Sequence, residues 1–266
     1  MNPPSPGLDP LMQSALAAAR AAGEIQRRHA GAARIEEKGA ADITTDVDRA
    51  CERAIVEILR ARHPDHGILA EEGTESAGTS GYLWLVDPLD GTKNYAHGFP
   101  RSCVSVAVVE RGEARVGVVY NPHTDELFAA LAGGGATLNG AALRVSPTSG
   151  LSSAMVASGL NHDKAAPVRR ADRAQLERLA RVLGAAQAVR AAGCCALDLC
   201  DVARGRFEAY FEQGLKAWDT AAGALIVREA GGTVTGFDGA PPDPFGLEVL
   251  ASHGSVHREL RALLAP

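Results

Sequence analysis

Hydrophobic and polar positions change period along the chain. Val47, Cys51, Ala54, Ile55, Ile58 and Leu59 recur at helical spacing, which predicts a helix capped by Thr45 or Asp46 and closed by Pro64. Asp9-Pro10 supplies an N-cap and first residue for an earlier helix reaching about Arg27. Between the two, Ile35, Glu36, Glu37 and Lys38 read as a strand or turn. After Pro64 the pattern becomes continuous. Gly67–Ala70 and Tyr82–Val86 are unbroken apolar runs bounded by turn residues, as expected of strands buried on both faces. Segments 103–109, 115–120 and 125–131 read as an antiparallel meander, turned at Arg111-Gly112 and at Asn121-Pro122-His123. Strands near 154–158, 186–190, 207–211, 232–236 and 247–251 then alternate with helices near 171–183, 194–204, 219–230 and 255–264. Such alternation predicts an α/β lobe.

The fold class is therefore α+β leading into α/β. Ser, Pro and Gly cluster around Pro147 to Gly150, which places a lobe boundary there. The expected division is a frayed, Pro-rich N-terminus at 1–8, an α+β lobe at 9–149 and an α/β lobe at 150–266.

Composition removes several function classes. The 266 residues carry a formal charge of −5, which gives no basic footprint for direct nucleic-acid binding. The charge-free stretch Leu127 to Leu143 contains three glycines in a row and Asn139, which reads as strand and loop, and no membrane span is expected. Five cysteines with Cys194 and Cys195 adjacent form no disulfide framework and no CxxC zinc site, which suits a reduced, cytoplasmic protein. Cys194, Cys195 and Cys200 read as small helix residues, and Lys93 and His97 as structural. Gly133-Gly134-Gly135 lacks the Lys-Ser/Thr of a phosphate loop and reads as a tight turn.

Chemistry enters where apolar runs end in acid. Gly67–Ala70 runs into Glu71-Glu72, Tyr82–Val86 runs into Asp87-Pro88-Leu89-Asp90, and Asp219 opens a strongly helical segment. Ionised carboxylates at the ends of buried strands are costly without a cation. Together they would suit Mg²⁺, a hard ion that keeps waters and shares phosphate oxygens. Singly, Asp219 reads as an N-cap, Glu71 as a solvated strand end, and Asp87 and Asp90 as turn formers. Spacing alone leaves both readings open.

Two long motifs and two short ones resemble the inositol monophosphatase family. Trp84-Leu85-Val86-Asp87-Pro88-Leu89-Asp90-Gly91-Thr92-Lys93-Asn94-Tyr95 is similar to its first signature, and Trp218-Asp219-Thr220-Ala221-Ala222-Gly223 through Glu229-Ala230-Gly231-Gly232 to its second. Ala70-Glu71-Glu72 and Asp42-Ile43-Thr44-Thr45-Asp46 match in the same order. The resemblance implies a layered αβαβα sandwich and Mg²⁺-dependent, lithium-sensitive hydrolysis of a phosphate monoester by a homodimer, with two or three ions per site. It implies Glu71, Asp87 and the Leu89 carbonyl as ligands of one ion and Asp87, Asp90 and Asp219 as ligands of a second. A third, weaker ion near Glu71 would have Asp46 in its region. Gly91 and Thr92 would hold phosphate, Thr92 with Asp46 or Glu71 would activate water, and Lys38 would lie near the site. Glu212 and an amide near Cys195 would contact substrate hydroxyls, which favours inositol monophosphate. Cys194 and Cys195 stand where Ser, Thr or Ala is usual, a departure from the pattern. Fructose 1,6-bisphosphate, adenosine 3′,5′-bisphosphate and histidinol phosphate are substrates of related branches. Some bacterial relatives also regulate transcription complexes, which leaves a protein partner open.

Overall fold

The computed structural model describes residues 9–37, 43–160 and 170–265. The frayed terminus expected at 1–8 lies outside the described residues, as do Lys38 and Asp42. Helix α1 (Pro10–His29) begins where the Asp9 carboxylate accepts the Leu11 amide at 2.8 Å, with Pro10 in its first turn. An antiparallel pair, β1 (Ile35–Glu37) and β2 (Ile43–Thr45), leads into α2 (Asp46–Arg62). Thr45 caps α2 in a reciprocal box with Asp48, and the helix stops two residues before Pro64.

The large sheet follows. It comprises β3 (Gly67–Ala70), β4 (Glu75–Ser76) and β5 (Tyr82–Asp90), then a one-turn helix α3 (Thr92–Ala96). Beyond it come β6 (Cys103–Glu110), β7 (Glu113–Asn121), β8 (Glu126–Leu131), β9 (Gly135–Leu138) and β10 (Ala141–Ala142). The spatial order is β10-β9-β8-β7-β6-β5-β3-β4, and β3–β5 is its one parallel pair. The glycine turn anticipated at 133–135 joins β8 to β9, with Gly133 and Gly135 both at positive φ. Sequence reading did not anticipate α3, β9 or β10, because each is shorter than the window in which a period shows.

Side-chain alternation gives this sheet two buried faces. Trp84, Val86, Val104, Val106, Val116 and Val118 pack on the alanine face of α1 and the aliphatic face of α2, with Ala15, Ala19, Ile55 and Leu59. Leu85, Ala107, Val119 and Phe128 point the other way, into a second core. The second half of the chain builds a smaller sheet from β11 (Met155–Ser158), β12 (Ala188–Arg190), β13 (Ala209–Gln213), β14 (Thr233–Thr235) and β15 (Glu248–Ser252). Its order is β12-β11-β13-β15-β14. Helices α4 (Arg170–Ala185) and α7 (Gly254–Leu264) cover its outer face through Val182, Val256 and Leu260. Helices α5 (Cys195–Ala203) and α6 (Ala217–Glu229) lie between the two sheets. The layers are therefore α, β, α, β, α, as expected. Among the described residues no helix is long and apolar enough to cross a membrane.

The central layer depends on close approach. A Cβ built on Gly117 in β7 would lie 2.7 Å from the Ala222 carbonyl oxygen and 3.0 Å from its Cα, backbone atoms of α6 that cannot swing aside. Gly117 thus sets how near α6 comes to the large sheet. Gly117→Ala is expected to destabilise the fold by about 1–3 kcal/mol, the usual cost of overpacking. Chemical denaturation checks this: a lowered midpoint with unchanged slope is the expected result, and an unchanged midpoint would show that the layer yields freely.

Candidate active site

The carboxylates singled out in the sequence meet at one end of the sheets. Glu71 follows β3, and its amide donates to the Val86 carbonyl at 3.1 Å, holding the ends of the parallel strands in step. Asp87 lies within β5 and Asp90 ends it, with a shift in register against β6 between them. That shift lets two acids three residues apart serve one site, where strict alternation would send them to opposite faces. Asp87 also accepts the Leu89 amide at 3.0 Å. Asp219 sits in the first turn of α6, where its Oδ2 accepts the Lys216 amide at 2.7 Å. Lys216 rather than Asp219 is therefore the N-cap, and Asp219, the third residue of the helix, accepts the cap's amide while lining the cavity.

Charge accumulates there. Burial pushes the Asp87 carboxyl well above the usual range, and Glu71, Asp90 and Asp219 add repulsion. Burial raises Asp90 too, while the Ala196 amide at 2.7 Å and the Cys194 thiol at 3.2 Å stabilise its charged form. Five acids, Glu71, Asp87, Asp90, Glu212 and Asp219, line a cavity of about 280 Å³, and among the described residues its one cationic lining side chain is Lys93. Read as structural in the sequence, Lys93 is exposed at the edge of this cavity. An all-oxygen acidic donor set of this kind fits a hard divalent cation.

The expected partner of Thr92 needs correction. Thr92 Oγ1 lies 2.9 Å from Asp48 Oδ1 and 3.0 Å from the Leu89 carbonyl oxygen, two acceptors for one proton. Asp46 instead accepts the Arg34 amide at 2.9 Å, tying the start of α2 to the loop before β1. The reason is helical geometry. Asp46 and Asp48 are two residues apart in α2 and cannot share a face. Asp48 is the one turned inward, where its Oδ2 accepts from the Thr45 amide at 2.9 Å and from the Thr45 hydroxyl. Burial raises the Asp48 carboxyl, and its bonds to Thr45 and Thr92 partly offset the rise. A Thr45-x-x-Asp48 capping box was legible in the sequence and would have found it. Buried Glu52, one turn further along α2, was also missed. It accepts the amides of Glu72 and Thr74 at 2.7 and 3.0 Å and so fixes the turn that carries Glu71.

Gly91 joins β5 to α3 at φ 88°, where a Cβ would lie 2.7 Å from the Arg101 carbonyl oxygen. Conformation and space both require glycine. The α3 side chain Asn94 donates to the carbonyls of Arg101 and Ala192 at 2.8 Å, binding this turn to the segment before α5.

The far side of the cavity comes from the small sheet. Glu212 near the end of β13 accepts from the Tyr210 hydroxyl, and Gly159 leaves the room it needs, since a Cβ there would overlap the Glu212 carboxyl at 1.8–2.2 Å. Burial pushes Glu212 up to about 8, with Asp90 and Asp219 adding to the rise and Tyr210 opposing it. Cys195 lines the same cavity, but its amide, expected to contact substrate, is directed at Asp90.

Several known proteins are similar to this chain in sequence or in fold. A 43% identical relative from Synechocystis, covering 87% of this chain and 80% of its own length, is named inositol-1-monophosphatase. A 40% identical relative from Haemophilus influenzae, covering 97% of both chains, is named Nus factor SuhB. The solved structure of the extragenic suppressor protein suhB from Bartonella henselae superposes with a TM-score of 0.90 at 35% identity, over 96% of this chain and 98% of that one. The family model described as inositol monophosphatase matches residues 7–266. By this match over nearly its whole length, the chain belongs to the inositol monophosphatase family.

Proposed function

We propose that this chain hydrolyses a phosphate monoester with Mg²⁺, and that its substrate is a polyol phosphate of the inositol monophosphate type. One observation carries the reading: among the described residues, five carboxylates surround a single cavity with one cationic side chain at its edge. A phosphate joins such a set only if cations come with it. Glu71, Asp87, the Leu89 carbonyl, Asp90 and Asp219 would hold them. When bound, Mg²⁺ supplies neutralising charge for the phosphate oxygens and acidifies water.

The chain's own groups do the rest. Asp48 accepts the Thr92 proton, which turns the hydroxyl lone pairs outward to accept from a water. That water is thereby oriented, and its proton can pass through Thr92 to a carboxylate whose affinity burial has raised. Gly91 and Thr92 open α3, where first-turn amides have no helical acceptor and favour an anion. Glu212 is placed to accept from substrate hydroxyls. Phosphoryl transfer needs this positioning and no nucleophilic side chain.

A second reading has its own support. The Haemophilus influenzae relative, matched over almost its full length, is named a Nus factor. The chain would then also bind a protein of a transcription complex, and a pull-down from cell extract with catalytically inactive protein tests that separately.

Asp90→Asn keeps the shape and removes a charge. Hydrolysis should fall at least about 100-fold, the scale of losing a charge-stabilising group. In chelator the variant should melt no lower than the parent, because repulsion is relieved. Saturating Mg²⁺ stabilises the parent by about 2.7 kcal/mol at a hundredfold excess over Kd, and most of that gain should vanish in the variant. A folded Asp90→Asn protein with near-normal turnover would refute the assignment.

Thr92→Ala removes only the hydroxyl, so kcat should fall by more than the affinity for substrate. Asp48→Asn should mimic it, while Asp46→Asn should not. A rise in KM at constant kcat would reassign Thr92 to binding alone.

Glu212→Ala separates substrate choice from chemistry. A hydrogen bond to a charged group contributes about 1.5–3 kcal/mol, so kcat/KM for inositol monophosphate should drop roughly 10- to 150-fold. A substrate without ring hydroxyls, such as p-nitrophenyl phosphate, should lose much less. Equal losses on both would remove Glu212 from specificity and direct the search to bisphosphates or histidinol phosphate.

A further inference from the structure

Two cysteines of the central layer meet beside Asp90. Cys103 opens β6 directly opposite Asp90 in register, and Cys194 is the N-cap of α5. Both are buried thiols outside any disulfide. Their Sγ atoms are 3.7 Å apart. Cys194 Sγ is 3.2 Å and Cys103 Sγ 3.9 Å from the same oxygen, Asp90 Oδ2. Nothing in the proposed hydrolysis uses either sulfur.

These distances have a chemical meaning. Zinc–sulfur bonds of about 2.3 Å and a zinc–oxygen bond of about 2.0 Å at tetrahedral angles place two sulfurs about 3.8 Å apart and each sulfur about 3.5 Å from the oxygen. The three atoms here therefore already outline one face of such a tetrahedron. Two thiols and a carboxylate form a soft set that selects zinc-class ions over Mg²⁺, which prefers oxygen alone. Access exists as well, since Asp90 and Cys194 both line the acidic cavity. Three protein ligands leave a fourth position for water, as in zinc sites that stay open to solvent.

We propose that Cys103, Cys194 and Asp90 form a binding site for a thiophilic divalent cation of the zinc class, and that its occupation withdraws Asp90 from catalysis. Two S–H bonds break, two metal–sulfur bonds and one metal–oxygen bond form, both protons go to solvent, and no electron is transferred. The inhibitory part rests on the phosphatase reading given above. The binding part does not.

The test uses the full chain, reduced and freed of metal, with Mg²⁺ present throughout and a phosphine reductant keeping the thiols from pairing. Co²⁺ is titrated first, because its spectrum reports its ligands. One equivalent should produce a thiolate-to-cobalt charge-transfer band in the near ultraviolet with the intense visible bands of four-coordinate cobalt. Zn²⁺ should bleach that spectrum and abolish hydrolysis with the same midpoint, and a chelator should restore activity. Cys103→Ala, checked for a cooperative melt and paired with Cys103→Ser, should keep Mg²⁺-dependent hydrolysis. It should lose most of the charge-transfer band and weaken Zn²⁺ by more than about tenfold, the low end of what even an outer-shell change costs. Absence of the band in the parent, or its persistence in Cys103→Ala, overturns the site. Zn²⁺ inhibition without the band means that zinc replaces Mg²⁺ among the carboxylates, and it overturns the site equally. A band with unaltered hydrolysis establishes the site and overturns its inhibitory role. If no phosphate ester is hydrolysed at all, the cobalt spectrum still decides the site, so failure of one reading is not mistaken for failure of the other.

Discussion

Repulsion among buried carboxylates is the constraint on which the rest of this structure depends. Asp87 is almost wholly excluded from solvent, yet Glu71, Asp90 and Asp219 all act on it unfavourably. In a loop, such groups would swing apart into water. Here the backbone denies them that option. Glu71 is tied through its amide to Val86, Asp90 is gripped by the Ala196 amide, and Asp219 accepts the Lys216 amide at the start of the helix that bears it. Each acid is anchored by the secondary structure that presents it. The site is rigid because its surroundings are ladders and helix ends, which is how an arrangement of like charges is held together until cations arrive.

Holding the acids in place requires both halves of the chain. Asp87 and Asp90 belong to the large sheet and Glu71 to the turn that follows β3, whereas Asp219 and Glu212 belong to elements on its far side. The core shared between the sheets fixes the relation between these groups. It packs Leu85 and Val119 of one sheet against Leu225 and Ala222 of α6 and Tyr210 of the other sheet. Gly117 matters for the same reason, because the height of α6 above β7 is also the reach of Asp219 toward Asp87. Packing density in the middle layer is thus converted into geometry at its rim.

Legibility in the sequence followed the range of the interaction. Unbroken apolar runs identified β3 and β5, because strands covered on both faces have no polar side to show. Asp9-Pro10 and the Val47-to-Leu59 spacing located two helices, since caps and periods are local. Family-like motifs marked the main acids as a set. Apart from the local Thr45–Asp48 box, what escaped was decided by contacts remote in sequence. Asp48 rather than Asp46 faces Thr92 because α2 turns that side inward, 44 residues away from its partner. Glu52 reveals its part only when the turn at Glu72 and Thr74 closes over it. The Cys194 thiol was read as a small helix residue, yet its neighbour Cys103 lies 91 residues earlier and becomes adjacent only through the layering of α5 on β6. Spacing identifies which side chains can share an element, and the fold alone decides which elements share a side chain's surroundings.

On the proposed function, catalysis and selection would occupy different parts of this frame. The groups assigned to phosphate and water lie on the large sheet and on α2 and α3, whereas Glu212 and Gly159, which leaves its carboxyl room, lie at the ends of strands in the small sheet. Substitutions at the ends of β11 and β13 can therefore reshape the wall of the cavity without moving the backbone that holds Asp87 and Asp90. The separation has one weak point. Burial and the neighbouring Asp90 and Asp219 keep Glu212 near neutrality in its proton affinity, so its charge depends on whatever neutralises those acids. A cation that offsets the negative charge of Asp90 and Asp219 would also favour the ionised form of Glu212. If Glu212 accepts from substrate hydroxyls as proposed, substrate recognition would in this way be linked to metal binding by electrostatics alone.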